Sequence, residues 1–228
     1  MNQMIEPILT AGFPLGSSAG LVTAFEWLGQ PYRLTRVDML GEMRSEAYKR
    51  LNGRVETPAL ITEKGRILTE TMAIALWIEA RDTERRISFD PGTPEADRLH
   101  QFIAFLNTSF TCAFYPLWIA LEATDASETE KQTLRKFGRS FVSNRHEQLE
   151  AMMGDSDYLL GNKPTLADAI FVGVARWADF HQAIEPRDYP RILALRQRIE
   201  ADPAFRFALA IENGEPALGS GAMQGLVV

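Results

Sequence analysis

Cysteine is nearly absent from this chain: Cys112 is the only one in 228 residues. A single thiol excludes an intrachain disulfide and fits a reducing compartment, so a cytoplasmic protein is expected. An excess of positive charge is missing too. Lys and Arg total 24 against 30 Asp and Glu, a formal charge of -6, which argues against nucleic acid or an anionic membrane as the main partner. Clean apolar runs of membrane-spanning length are lacking, because the most apolar stretch, residues 99 to 121, carries His100, Gln101 and Asn107. Residues 1 to 7 have no basic segment followed by an apolar run, so no secretory signal is expected. There is no internal repeat.

What is present suits a soluble globular protein: 46% hydrophobic and 24% charged residues, in a length that allows one large or two small domains. Residues 5 to 11 read as a first strand and 12 to 16 as a loop. Ser17 or Ser18 is read as the N-cap of a helix with Leu21, Val22, Phe25 and Leu28 on its apolar face, ending at Gly29. Residues 32 to 38 alternate apolar and polar and read as a second strand, giving a βαβ unit with a right-handed crossover. A short helix over 45 to 51 precedes a hairpin, two β-prone runs joined at Glu63-Lys64-Gly65, with Pro58 at its start. A helix over 71 to 81 closes an α/β domain assigned to residues 1–82.

Charges, prolines and Gly92 mark residues 83–95 as a linker. Residues 96–213 read as all-helical. Leu99, Phe102, Leu106, Phe110, Phe114 and Leu117 predict one helix of about six turns. A second, over 127 to 153, is expected to turn Leu134, Phe137 and Phe141 inward. Thr165 to Asp168 reads as a capping box opening another helix, and Asp202 with Pro203 opens the last. The tail, residues 214–228, is expected to be loosely held.

Three motifs carry a resemblance. Thr57-Pro58-Ala59-Leu60 resembles a Val-Pro-Ala-Leu step, Glu70-Thr71 with Ala73-Ile74 resembles Glu-Ser-x-Ala-Ile, and Gly161 to Asp168 resembles a second-domain segment ending in Ala-Asp. In this order and on this domain plan the chain is similar, over residues 5 to 213, to the soluble glutathione transferases of a bacterial, beta-like or related class. The resemblance implies a thioredoxin-like α/β N-terminal domain and an all-α C-terminal domain. It also implies a cis bond before Pro58, glutathione as co-substrate, no metal, a small apolar electrophile, a homodimer and a role in detoxification.

The resemblance assigns roles residue by residue. Glu70 accepts from the γ-glutamyl amine, and Thr71 at a helix N-terminus donates to the neighbouring carboxylate. The Thr57 backbone pairs with the cysteinyl unit like an added strand. Arg54, with Arg50, meets the glycyl carboxylate, although such charges more often form a solvated face. A hydroxyl at the first helix, Ser17 or Ser18, holds the sulfur as thiolate, against the plainer role of capping. No tyrosine lies in the first strand or loop to do this instead. Phe110 and Trp118 line an apolar pocket unless they are core, and Tyr115 donates to the electrophile. Two departures stand out: Glu56 occupies a position where lysine or glutamine is common, and Thr111-Cys112 replaces a His-Lys pair. Beside a transferase, the readings left open are a glutathione-dependent disulfide or peroxide reductase and a non-catalytic binding or regulatory module.

Overall fold

The protein is described from a computed structural model over residues 6–227; Ile5, read above as the start of the first strand, lies outside that range. Strands β1 (Ile8–Phe13), β2 (Tyr32–Asp38), β3 (Ala59–Ile61) and β4 (Ile67–Thr69) join β5 (Met223–Leu226) in one sheet of order β4-β3-β1-β2-β5. β1 and β2 are parallel through helix α1 (Ser18–Leu28), and β3 and β4 form the antiparallel hairpin. Gly29 ends α1 at φ 73, where its N–H donates back to the Phe25 carbonyl at 3.0 Å. This left-handed turn is the one glycine accepts most readily. Helix α2 (Glu46–Leu51) is capped by Ser45, and α3 (Thr71–Glu79) turns Ile74, Ala75, Trp77 and Ile78 inward.

The helical unit holds α4 (Pro94–Phe105), α5 (Tyr115–Glu122), α6 (Glu128–Met152), α7 (Leu166–Ala175), α8 (Trp177–Phe180), α9 (Pro190–Ala201) and α10 (Pro203–Asn213). α7 and α10 pack directly on α1, so the sheet unit and the helical unit share one continuous core. Asp168 anchors α7. Fully buried, it accepts from the Thr165 N–H and hydroxyl and from the Leu159 N–H at 2.7–2.9 Å.

Three expectations are corrected. The single helix from 99 to 117 is broken into α4, a π turn over Leu106–Phe110, a 3-10 turn over Thr111–Phe114, and α5. Pro116 has no N–H to continue the ladder, and Thr111 bonds back to the Leu106 carbonyl at 2.8 Å. The run Pro94–Glu122 has a window of mean hydropathy 1.4 and by length and composition alone could cross a membrane. Its apolar face, however, including Leu99, Phe102, Leu106 and Phe110, is core.

On α6, Phe137 and Phe141 point outward, their rings tilted against each other with centroids 4.5 Å apart, and the buried stripe is Gly138, Val142, His146 and Leu149. A Cβ on Gly138 would meet Leu117 at 2.7 Å, so α6 approaches α5 on its narrowest face and the bulky face one residue earlier is left outside.

The tail is the third. β5 adds in parallel to β2, with the Tyr32 N–H on the Ala222 carbonyl at 3.1 Å and the Val227 N–H on that of Leu34 at 2.8 Å. Glu26, only 4% exposed, holds it. This carboxylate accepts from the Tyr32 hydroxyl and from both the N–H and hydroxyl of Ser220 at 2.6–2.8 Å. Burial, then the Glu26 charge, push the Tyr32 hydroxyl far above its ordinary pKa.

Candidate active site

Between the two units lies a cleft of about 610 Å³. The sheet unit supplies Leu15, Gly16 and Ser17 before α1, Met39, Leu40, Met43 and Arg44 after β2, and Glu56 and Thr57 before β3. The helical unit supplies Trp118, Leu121 and Glu122 from α5 and Trp177 and Phe180 from α8. The Phe13–Pro14 and Thr57–Pro58 peptides are both cis, and Pro14 and Thr57 both border the cleft.

The two serines have separate surroundings. Ser18 is fully buried, and its Oγ accepts the Gly12 N–H at 3.0 Å, tying the end of β1 to the start of α1. It is not available to a ligand, which corrects its candidacy. Ser17 is half-buried on the cleft at the N-cap position of α1, and its side chain makes no capping bond. A hydroxyl there sits at the positive end of the helix dipole, where an anion is stabilised by about 0.3–1 kcal/mol or more when desolvated.

Across the cleft, the segment before Thr57 is tightly held. Its Glu56 carbonyl accepts from the Tyr48 hydroxyl at 2.6 Å and from the Asn52 amide at 2.7 Å. Burial first, then the Glu56 charge, push the Tyr48 hydroxyl up to about 12, so it remains a donor. Val55 is held at φ 58 and Glu70 at φ 74. Left-handed backbone at such residues costs on the order of 1–3 kcal/mol and collects at ligand sites. Glu70 precedes the first residue of α3, Thr71, and makes no capping bond of its own.

Arg54 is near this end. Its guanidinium reaches Glu56 and Glu70 at 2.9 Å each. Both contacts place the guanidinium beside Glu70, at the start of α3. Arg44, whose Nη1 is 3.3 Å from the Leu40 carbonyl, is the one cation among the residues lining the cleft.

Two more expected residues are elsewhere. Phe110 is fully buried, 4.7 Å from the His146 ring and 6.0 Å from that of Phe114. It is core, and burying such a side chain stabilises by about 1.5–3 kcal/mol. Tyr115 is 64% exposed at the start of α5 and is not among the cleft residues. Cys112 is exposed and likewise off the cleft.

The apolar wall is one that sequence reasoning reached only at Trp118. The Trp118 ring stacks on Phe180 at 5.5 Å with an interplanar angle of 22°, and meets Trp177 edge-on at 5.4 Å. The Trp-x-x-Phe spacing after α7 was the only available signal for the other two. Met39 stands under Thr57, with its sulfur 3.3 Å from the hydroxyl.

A mixed sheet of thioredoxin type, a helical unit docked on it and a cleft at their junction define the glutathione S-transferase fold. The family model for the glutathione S-transferase N-terminal domain matches residues 18–81, and that for its C-terminal domain matches residues 108–203. The GST-like protein YncG of Escherichia coli is 31% identical over 162 residues, covering 67% of this chain and 73% of that protein. Maleylacetoacetate isomerase of Pseudomonas aeruginosa is 28% identical over 187 residues, covering 79% and 84%. A sphingomonad glutathione S-transferase solved with glutathione superposes with a TM-score of 0.77 at 25% identity, over 90% of this chain and 98% of that one. The chain belongs to the glutathione S-transferase family.

Proposed function

We propose that the protein is a glutathione transferase in which the Ser17 hydroxyl stabilises the glutathione thiolate for attack on an apolar, aromatic electrophile seated against Trp118 and Phe180. The observation that carries this reading is Ser17 itself, a hydroxyl with no side-chain capping bond at a helix N-terminus, on the same cleft as Thr57 and the aromatic wall. A free thiol with pKa about 8.5 is only a few per cent ionised at neutral pH, so each unit of lowering gains nearly tenfold in nucleophile. Thr57 pairs with the cysteinyl backbone beside Pro58. Glu70 takes the γ-glutamyl ammonium, Thr71 and Arg54 its carboxylate, and Arg44 the glycyl carboxylate.

The isomerase among the relatives motivates a second reading. Against it, the cleft lining offers Arg44 as its one cation beside Glu122 and the ion-paired Glu56, a poor reception for a substrate carrying more than one carboxylate. A two-domain division near residues 83–95, a cytoplasmic detoxification role and a homodimer complete the proposal. The dimer would cover apolar side chains now exposed, among them Ile67, Leu76, Phe137 and Phe141.

The test is calorimetry with glutathione followed by ultraviolet titration of the bound thiol. Saturable binding with a thiol pKa well below 8.5, and turnover of a chloro-nitroaromatic, support the reading. Turnover of hydroxyethyl disulfide alone would make it a reductase, and absence of binding a non-catalytic module.

A further inference from the structure

The loop that carries Ser17 is gripped by residues from far along the chain. The Leu15 N–H donates to Glu212 Oε1 at 2.8 Å, the Leu15 carbonyl accepts from Trp177 Nε1 at 2.8 Å, and the Gly16 carbonyl accepts from Arg176 Nη2 at 2.9 Å. Arg176 and Glu212 are also paired with each other, Nη1 to Oε1 at 2.9 Å and Nη2 to Oε2 at 2.5 Å, with side chains only 13% and 9% exposed. Every backbone group held this way lies within two residues of Ser17. Leu15 sits at φ 57, a conformation that a leucine keeps only when its surroundings impose it. The helix behind is equally constrained, since a Cβ on Gly173 of α7 would come within 2.5 Å of the Ser17 carbonyl oxygen.

A buried ion pair is weak evidence for stability, because desolvation offsets most of its attraction. Its value has to be sought in what it holds. Here both partners spend hydrogen bonds on the same three-residue loop, and neither lines the cleft. A hydroxyl must stay within about 0.5 Å of its working position to stabilise a thiolate.

We propose that the Arg176–Glu212 pair is a positioning clamp. It fixes the backbone of Leu15 and Gly16 so that the Ser17 hydroxyl is aimed at the glutathione sulfur, and thiol ionisation therefore depends on two residues that touch neither substrate. The clamp rests on the Ser17 reading above.

The test replaces the pair by apolar residues, Arg176→Met with Glu212→Leu, because such exchanges keep a packed interior where single removals leave a buried charge. Circular dichroism melts check the fold, calorimetry gives the glutathione Kd, and ultraviolet titration gives the bound thiol's pKa. The expected result is a folded protein with nearly unchanged Kd, a thiol pKa raised by about one pH unit, and kcat at neutral pH down roughly three- to fivefold at constant KM. Glu212→Gln, which keeps an acceptor for Leu15, falls between that variant and the parent. A parental thiol pKa in the folded double variant, while Ser17→Ala raises it, overturns the clamp alone. Should the double variant not fold, Glu212→Gln decides, and a thiol pKa equal to the parent's overturns the clamp. Absence of glutathione binding by the parent, or an unchanged pKa in Ser17→Ala, overturns the serine reading and the clamp with it.

Discussion

The Arg54 guanidinium lies 2.9 Å from the Glu56 carboxylate. Glu56 is the acid that looked out of place beside an anionic tripeptide, and the contact supplies its counter-charge while the same guanidinium reaches Glu70. Arg54→Gln leaves two acids unpaired at that end of the cleft. We expect glutathione affinity to fall about tenfold in calorimetry, with the melting temperature unmoved, since exposed pairs contribute only about 0–1 kcal/mol to stability. Adding Glu56→Gln should recover part of the affinity.

The two serines should separate cleanly. Ser17→Ala is expected to raise the pKa of bound thiol and leave the fold intact. Ser18→Ala strands the buried Gly12 N–H and should lower stability by about 1–3 kcal/mol in urea denaturation. The reverse pattern would exchange their roles.

Phe180 presents an exposed face to the cleft while stacked on Trp118. Phe180→Ala should raise KM for an aromatic electrophile roughly tenfold, the scale of one lost aromatic contact with its buried area, and leave glutathione Kd unchanged. Steady-state kinetics with the electrophile varied will show it. A loss confined to glutathione affinity would place the electrophile elsewhere.

Stability against pH contains two opposed contributions. Burial lowers the His146 pKa from 6.5 to about 4, so its share of stability is complete above 6.5 and is lost as pH falls toward 4, about 3 kcal/mol by the shift. Burial raises Asp168 from 3.8 to about 6, so its share is complete below 3.8 and is lost as pH rises through 6. Between pH 4 and 6 the two nearly cancel. His146→Leu removes the first, so that variant should gain stability on going from pH 7 to 5 by urea denaturation, where the parent changes little. A parallel loss in both would refute the assignment.

Glu26→Gln weakens the anchor of the tail by removing a charged acceptor shared by three donors. Amides of β5 should then exchange hydrogen faster than those of β1, measured by mass spectrometry at neutral pH. Equal protection in both strands would mean that β5 is held by its backbone pairing alone.

The sheet unit was legible wherever the pattern was local. Residues 32 to 38 alternate strictly enough that β2 was bounded correctly, and Gly29 and Ser45 mark their helix ends by backbone preference and side-chain chemistry. Periodicity failed where a single residue changes the phase. The π turn at Leu106–Phe110 leaves the apolar spacing almost helical, and Gly138 shifted the inner face of α6 one residue from its two phenylalanines. Of the cleft, Ser17 and Thr57 could be named from neighbours in sequence. Trp177 and Phe180 could not, nor could Glu212 behind the cleft, because their places depend on how α8 and α10 dock onto a loop some 160 residues or more earlier.

β5 has a consequence for the order in which the protein can be built. β2 lies between β1 and β5, so the sheet made almost entirely from the first part of the chain lacks one border until residues 223–226 have been synthesised. During translation β2 stands as an unpaired edge throughout the time the helical unit emerges, and Glu26 waits without its Ser220 donors. Of the two units, the one that leaves the ribosome earlier is the one completed later.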